Sequence, residues 1–186
     1  DRAVTFTNTR TRDGVYGEKF EYATGPLTRR WKQDDRAAAI ATMVSFYRRA
    51  GFQREIGAGH SNGCDILARV LTRLNVALDS VHLFAPAANA ADYQRALQMD
   101  SVERIYIYGS RKDAALGIGA RMSKVLLGWA GLGYGTLGLE GEALAAAQPE
   151  RVKDCSIHSY GHSDWFARDS HFESTMRTLF ENEGIE

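Results

Sequence analysis

Residues 55–63 read Glu-Ile-Gly-Ala-Gly-His-Ser-Asn-Gly, and no other stretch constrains the fold as much, because a short strand runs through them straight into a helix. Within it, Gly59-His60-Ser61-Asn62-Gly63 is a G-x-S-x-G pattern. A serine on so sharp a strand-to-helix turn takes a strained backbone with its hydroxyl exposed, and the residues two before and two after must be small for strand and helix to pass closely. Gly59 and Gly63 meet that need. Ile66, Leu67, Val70, Leu71 and Leu74 then recur at spacings of three and four, with Asp65, Arg69 and Arg73 between them, which predicts an amphipathic helix to about Leu74. The pentapeptide alone is unspecific in a chain with 18 glycines. Context decides: an acid and then a histidine should follow at strand ends, in that order.

The rest of the chain alternates strands with helices. Residues 3–7 (Ala-Val-Thr-Phe-Thr) are β-prone almost from the first residue, so early strands are expected to be missing or to lie upstream. The loop Asn8-Thr9-Arg10-Thr11-Arg12-Asp13-Gly14 and a second extended segment at 19–23 read either as a hairpin closed at Asp13-Gly14 or as a loop donating a main-chain N–H beside Ser61. A helix is expected from Asp34 or Asp35 as N-cap to Gly51, its apolar stripe formed by Ile40, Met43, Val44 and Tyr47. Further strands are expected at 55–58, 81–86, 102–109 and 154–160, with helices at 90–99, about 114–127 and 170–182. Such alternation argues for parallel βαβ units in an open α/β sheet, with ligand chemistry at the carboxyl ends of the strands. The chain has 186 residues, 44% of them hydrophobic, enough for one domain with a two- or three-layer core.

Residues 128–141 carry six glycines and are expected to form a loop along the active-site face, with 126–139 as an acyl-chain or lipid contact. This stretch lacks the Lys-Ser/Thr of a phosphate-binding loop and does not bridge a strand to a helix, so nucleotide binding is not expected.

Charge excludes other classes. Lys plus Arg equals Asp plus Glu at 23 each, so no global field draws the chain to nucleic acid or to an anionic membrane. No run of apolar residues is long enough to span a bilayer, and stable membrane insertion is not expected. Asp1-Arg2-Ala3 opens neither a charged nor an apolar leader region, and Cys64 and Cys155 read as buried free thiols, so a reducing, cytoplasmic setting is expected. No His/Cys/Asp cluster has metal spacing, and neither metal nor cofactor is expected. His60, His82 and His158 read as structural residues, the last two inside strands.

The ordered acid and histidine are present. Asp113 follows the strand at 102–109 in Ser110-Arg111-Lys112-Asp113, and His162 follows the last strand in Gly161-His162-Ser163-Asp164. Each has a rival. Gly161-His162-Ser163 mimics Gly59-His60-Ser61, so Ser163 competes as nucleophile, although Trp165 stands where a second glycine is needed. Asp164 competes with Asp113, but two residues from His162 it would have to strain to reach the far ring nitrogen.

With Ser61, Asp113 and His162 in this order, the chain resembles the α/β-hydrolase family, from Val81 to the C-terminus and at the pentapeptide. The resemblance implies a three-layer α/β/α sandwich with a mostly parallel open sheet, reduced at the N-terminus, and a catalytic triad of Ser61, His162 and Asp113. The backbone N–H of Asn62, heading the helix, would face a developing oxyanion. In place of the family's early His-Gly loop stand Asn8 and Thr9 as second oxyanion donors. The implied activity is cleavage of a small-molecule or lipid ester, or a thioester, through an acyl-enzyme without cofactor. The alternative is a catalytically silent binding or scaffold protein on the same fold.

Overall fold

A computed structural model of the chain describes residues 32–114, 116–117, 135–166 and 170–185. The expected strand at 3–7, the hairpin, and most of the helix at 114–127 lie outside these residues. Four strands, β1 (Ile56–His60), β2 (Leu78–Phe84), β3 (Val102–Tyr108) and β4 (Val152–Asp154), form one parallel sheet in the order β1-β2-β3-β4. Among the described residues the helices α1 (Gln33–Arg49), α2 (Asn62–Thr72), α3 (Ala90–Gln98), α4 (Leu137–Ala147) and α5 (Ser170–Glu183) accompany them. Register places His60 beside Phe84 and Phe84 beside Tyr108. Three carboxyl ends therefore finish in one row, and the loops that leave them meet at one edge of the sheet.

The alternation of side chains along β2 and β3 sorts the layers. Val81, Leu83, Ile105 and Ile107 point into a core shared with Cys64, Leu67 and Leu71 of α2, Tyr93 and Leu97 of α3, and Leu137 and Leu144 of α4. Phe84, Tyr106 and Tyr108 point to the other face, where Leu179, Met176 and Phe180 of α5 cover them together with Trp165. The result is the three-layer α/β/α sandwich expected of an α/β-hydrolase-like fold. Helix α1 packs outside α2, its Ala37 buried with Ile66 and Val70 and its Ile40 against them.

Three local expectations are corrected. Neither Asp34 nor Asp35 caps α1: the helix starts at Gln33 after Lys32, and Asp34 pairs with Arg69 and Arg73. The last strand is only Val152–Asp154: beyond it the Gly109 N–H donates to the Ser156 hydroxyl instead of a main-chain carbonyl, and that hydroxyl donates to Asp154, while Ile157 N still reaches Gly109 O at 3.0 Å; His158 follows in an exposed turn, 3.3 Å from Glu142. Of the glycine-rich stretch and the acyl or lipid contact expected at 126–139, residues 126–134 lie outside the described residues; the part from Leu137 to residue 141 is not loop, since Leu137–Ala147 is helical and Leu137 is fully buried in the core. A Cβ on Gly141 would lie 2.6 Å from Ile107 Cγ2, so glycine there lets α4 lie directly on β3. Contact with the sheet outweighs the low helix propensity of glycine.

A buried polar cluster ties the end of α5 to the sheet. Glu183 Oε1 accepts hydrogen bonds from Ser80 Oγ and His82 Nε2, both at 2.6 Å, and its other oxygen pairs with Arg54. His82 Nδ1 accepts from the Tyr108 hydroxyl at 2.9 Å, and that oxygen accepts from Asn182 Nδ2 at 3.0 Å. Burial alone would raise the Glu183 carboxyl, but the bonds from His82 and Ser80 and the charge of Arg54 outweigh it and hold its pKa below the ordinary 4.5. A carboxylate depressed on folding stabilises above its unfolded pKa and loses that contribution as pH falls through the folded one. Glu183→Gln should thus cost about 1–3 kcal/mol at neutral pH. The Tm gap to the parent should close as pH drops below 4.5, which thermal melts of both proteins across pH will check.

Candidate active site

Ser61 stands between β1 and α2 with φ 53° and ψ −117°. A residue with a Cβ held there costs about 1–3 kcal/mol, and such strain persists only where neighbours over-determine it. They do so here. The Ser61 N–H donates to Phe84 O at 2.9 Å, and the Ser61 carbonyl accepts from Cys64 N at 3.2 Å and Ala87 N at 3.1 Å. A Cβ on Gly59 would come within 3.0 Å of both Cys64 N and Leu67 Cδ1, so this glycine is what lets strand and helix close on the turn.

His162 lies in the loop after β4. Its Nδ1 is 2.8 Å from Asp113 Oδ2 and its Nε2 is 2.9 Å from Ser61 Oγ. A carboxylate only accepts, so Nδ1 carries the proton and Nε2 is left to accept from the serine hydroxyl. Asp113 is buried, and its two oxygens divide the work: Oδ1 accepts the Leu116 N–H at 2.9 Å, capping the helical residues that follow, while Oδ2 faces His162. The cap and the imidazole contact are thus compatible at one residue. The structure brings Ser61, His162 and Asp113 into one hydrogen-bonded line across three loops of the same sheet edge.

Neither rival side chain is hydrogen-bonded to the line of Ser61, His162 and Asp113. Asp164 Oδ2 accepts the Gly161 N–H at 2.6 Å and closes the loop on itself, and Ser163 is an exposed residue of that loop. Asn62 is the first residue of α2, as expected, whereas Asn8 and Thr9 lie outside the described residues. Two contacts have no counterpart in the sequence reading. Gln33, buried at the start of α1, donates from Nε2 to Asn62 Oδ1 at 2.9 Å; its only sequence signal is a polar residue on the inward side of an amphipathic helix. His60 Nε2 lies 2.9 Å from the His162 carbonyl oxygen, and burial lowers the His60 pKa below 6.5. Among the described residues no group of three or more His, Cys, Asp or Glu is placed to hold a metal ion, and no helix is long and apolar enough to cross a membrane.

The chain is similar in fold to a solved esterase. The crystal structure of esterase PE8 superposes with a TM-score of 0.50 at 12% sequence identity, over 84% of this chain and 65% of that one. The chain thus spans less than two thirds of that esterase's length. No protein-family model and no curated protein matches the sequence. At such low identity the likeness speaks for the fold alone, consistent with an α/β-hydrolase-like one, and any chemistry has to be argued from the residues.

Proposed function

We propose that this chain is a serine hydrolase that cleaves a carboxylic ester, with lipid esters and thioesters within the same chemistry, through an acyl-enzyme. One observation carries the reading: the hydrogen-bonded line from Ser61 Oγ to His162 Nε2 and from His162 Nδ1 to Asp113 Oδ2, at 2.9 and 2.8 Å. It starts from a serine whose positive φ turns it out of the strand-to-helix corner.

A serine hydroxyl is a poor nucleophile at neutral pH. His162 Nε2 takes its proton as Oγ attacks the ester carbonyl, and returns that proton to the leaving alkoxide when the C–O bond breaks. Water then attacks the acyl-serine with the same base and releases the acid. Buried Asp113 holds the imidazole in the Nδ1–H tautomer and stabilises its positive form. The Asn62 main-chain N–H, in the first turn of α2 with its partial positive charge, is the proposed oxyanion donor; one such donor is worth about 3 kcal/mol of barrier. Asn8 and Thr9 are the proposed source of a second.

The test is labelling of Ser61 by a fluorophosphonate, followed by a chain-length series of p-nitrophenyl esters. The kcat/KM for an activated ester should rise with pH through a single ionisation, because only uncharged imidazole accepts the serine proton. Burial favours the uncharged form of His60, so any step it adds should lie on the acid side of an ordinary histidine. Excess chelator should leave the rate unchanged. Folded protein that neither labels nor hydrolyses any ester would point instead to a silent scaffold.

A further inference from the structure

We propose that His60 is a positioning residue: from the end of β1, one place before Ser61, it grips the main chain of His162 and holds base and nucleophile in register. This rests on the reading of Ser61, His162 and Asp113 as a triad.

The His162 carbonyl can only accept, so His60 Nε2, 2.9 Å away, carries the proton and donates it. The His60 ring is wedged in place, 5.1 Å from the His162 ring and 5.3 Å edge-on from Phe166. Side chains on β1 alternate between faces, and residue 60 faces the α5 layer, where the His162 loop lies. The bonds between Gly161 and Asp164 are internal to that loop. They set its curvature and not its distance from the sheet, whereas the His60 bond spans from strand to loop. Because residue 60 adjoins Ser61 in the chain, one rigid segment carries the nucleophile and holds the base.

The residue type fits the task. A lysine would also donate, but it would set a permanent charge beside the imidazolium that forms on His162 during attack. Burial favours the uncharged form of His60, reinforced by repulsion from His162 and opposed by the His162 carbonyl and by Asp113. The titratable groups acting on His60 are therefore the triad's own, and it donates without competing for the proton.

His60→Phe keeps a ring and removes the donor; His60→Gln keeps an N–H at similar reach. In wild-type protein that labels at Ser61, His60→Phe should lower kcat/KM and the labelling rate by about 10–100-fold, the cost of misplacing reacting groups by about an ångström. Its KM should stay close to the parent's and its melting transition should remain cooperative. His60→Gln should recover most of the rate. In nitrogen-15 imidazole spectra, wild-type His60 should show a protonated Nε2 and a bare Nδ1 while His162 titrates, and the deshielded Nδ1–H of His162 should persist in His60→Gln and weaken in His60→Phe. Parental labelling and unchanged His162 signals in His60→Phe would overturn the proposal, as would a His60 protonated at Nδ1. If His60→Phe does not fold, the rate of His60→Gln and the wild-type tautomer decide: a low rate or a bare Nε2 overturns it. If wild-type protein neither labels nor hydrolyses, the triad reading has failed, and the spectra alone judge the grip on His162.

Discussion

Ser61→Ala abolishes fluorophosphonate labelling and lowers ester turnover by about 10⁵–10⁶-fold, the scale on which a triad acts as one unit when its nucleophile is removed. The expectation follows from geometry, because Ser61 Oγ is the group 2.9 Å from His162 Nε2. Ser163→Ala leaves labelling intact, since Ser163 is an exposed residue of the loop that carries His162. Mass spectrometry of the labelled peptide separates the two serines directly. Labelling that survives in Ser61→Ala and disappears in Ser163→Ala would move the nucleophile to the other Gly-His-Ser.

Asp113→Asn lowers kcat by about 10⁴-fold while the protein remains folded. The two carboxylate oxygens explain why both parts are expected. Asparagine caps a helix as well as aspartate does, so the bond from Leu116 N to the side-chain oxygen can persist. The other position then presents an NH₂ to His162 Nδ1, where the parent presents an acceptor. Two donors cannot pair, so the imidazole shifts its proton to Nε2 and faces Ser61 as a donor that cannot take the serine proton. Asp113→Ala loses the cap as well and should cost about 1 kcal/mol of stability, visible in thermal melts. Asp164→Asn should change kcat little, because its amide oxygen can still accept the Gly161 N–H. If Asp164→Asn is the damaging substitution, the acid belongs to the His162 loop.

The alternation of strands and helices, the parallel sheet and the order Ser61, Asp113, His162 were all legible in the amino-acid order. Each depends on local information: period-2 and period-3.6 patterns, and short polar loops where strands end. Where local propensity and packing disagreed, packing prevailed. Gly141 argues against a helix until Ile107 of β3 is set against it, and 154–160 looks like a strand until the Ser156 hydroxyl takes the Gly109 N–H and bonds back to Asp154.

By itself the sequence determined which polar loops follow the strands at their carboxyl ends, because apolar period and turn chemistry mark where strand gives way to loop, although the last strand stops at Asp154 and not at 160. That was enough to nominate Ser61, Asp113 and His162. Only the tertiary structure decided what each of them touches: His162 on Asp113 rather than Asp164, Gln33 on Asn62, His60 on the His162 carbonyl, and Glu183 on His82. Three of these four contacts join positions far apart in the chain, and the closest, Gln33 with Asn62, still crosses from one helix to the next. Burial periodicity reports which face of an element is covered and carries no record of the partner that covers it. The partner follows from strand register, which aligns His60, Phe84 and Tyr108 in one row and so gathers their loops into a single site.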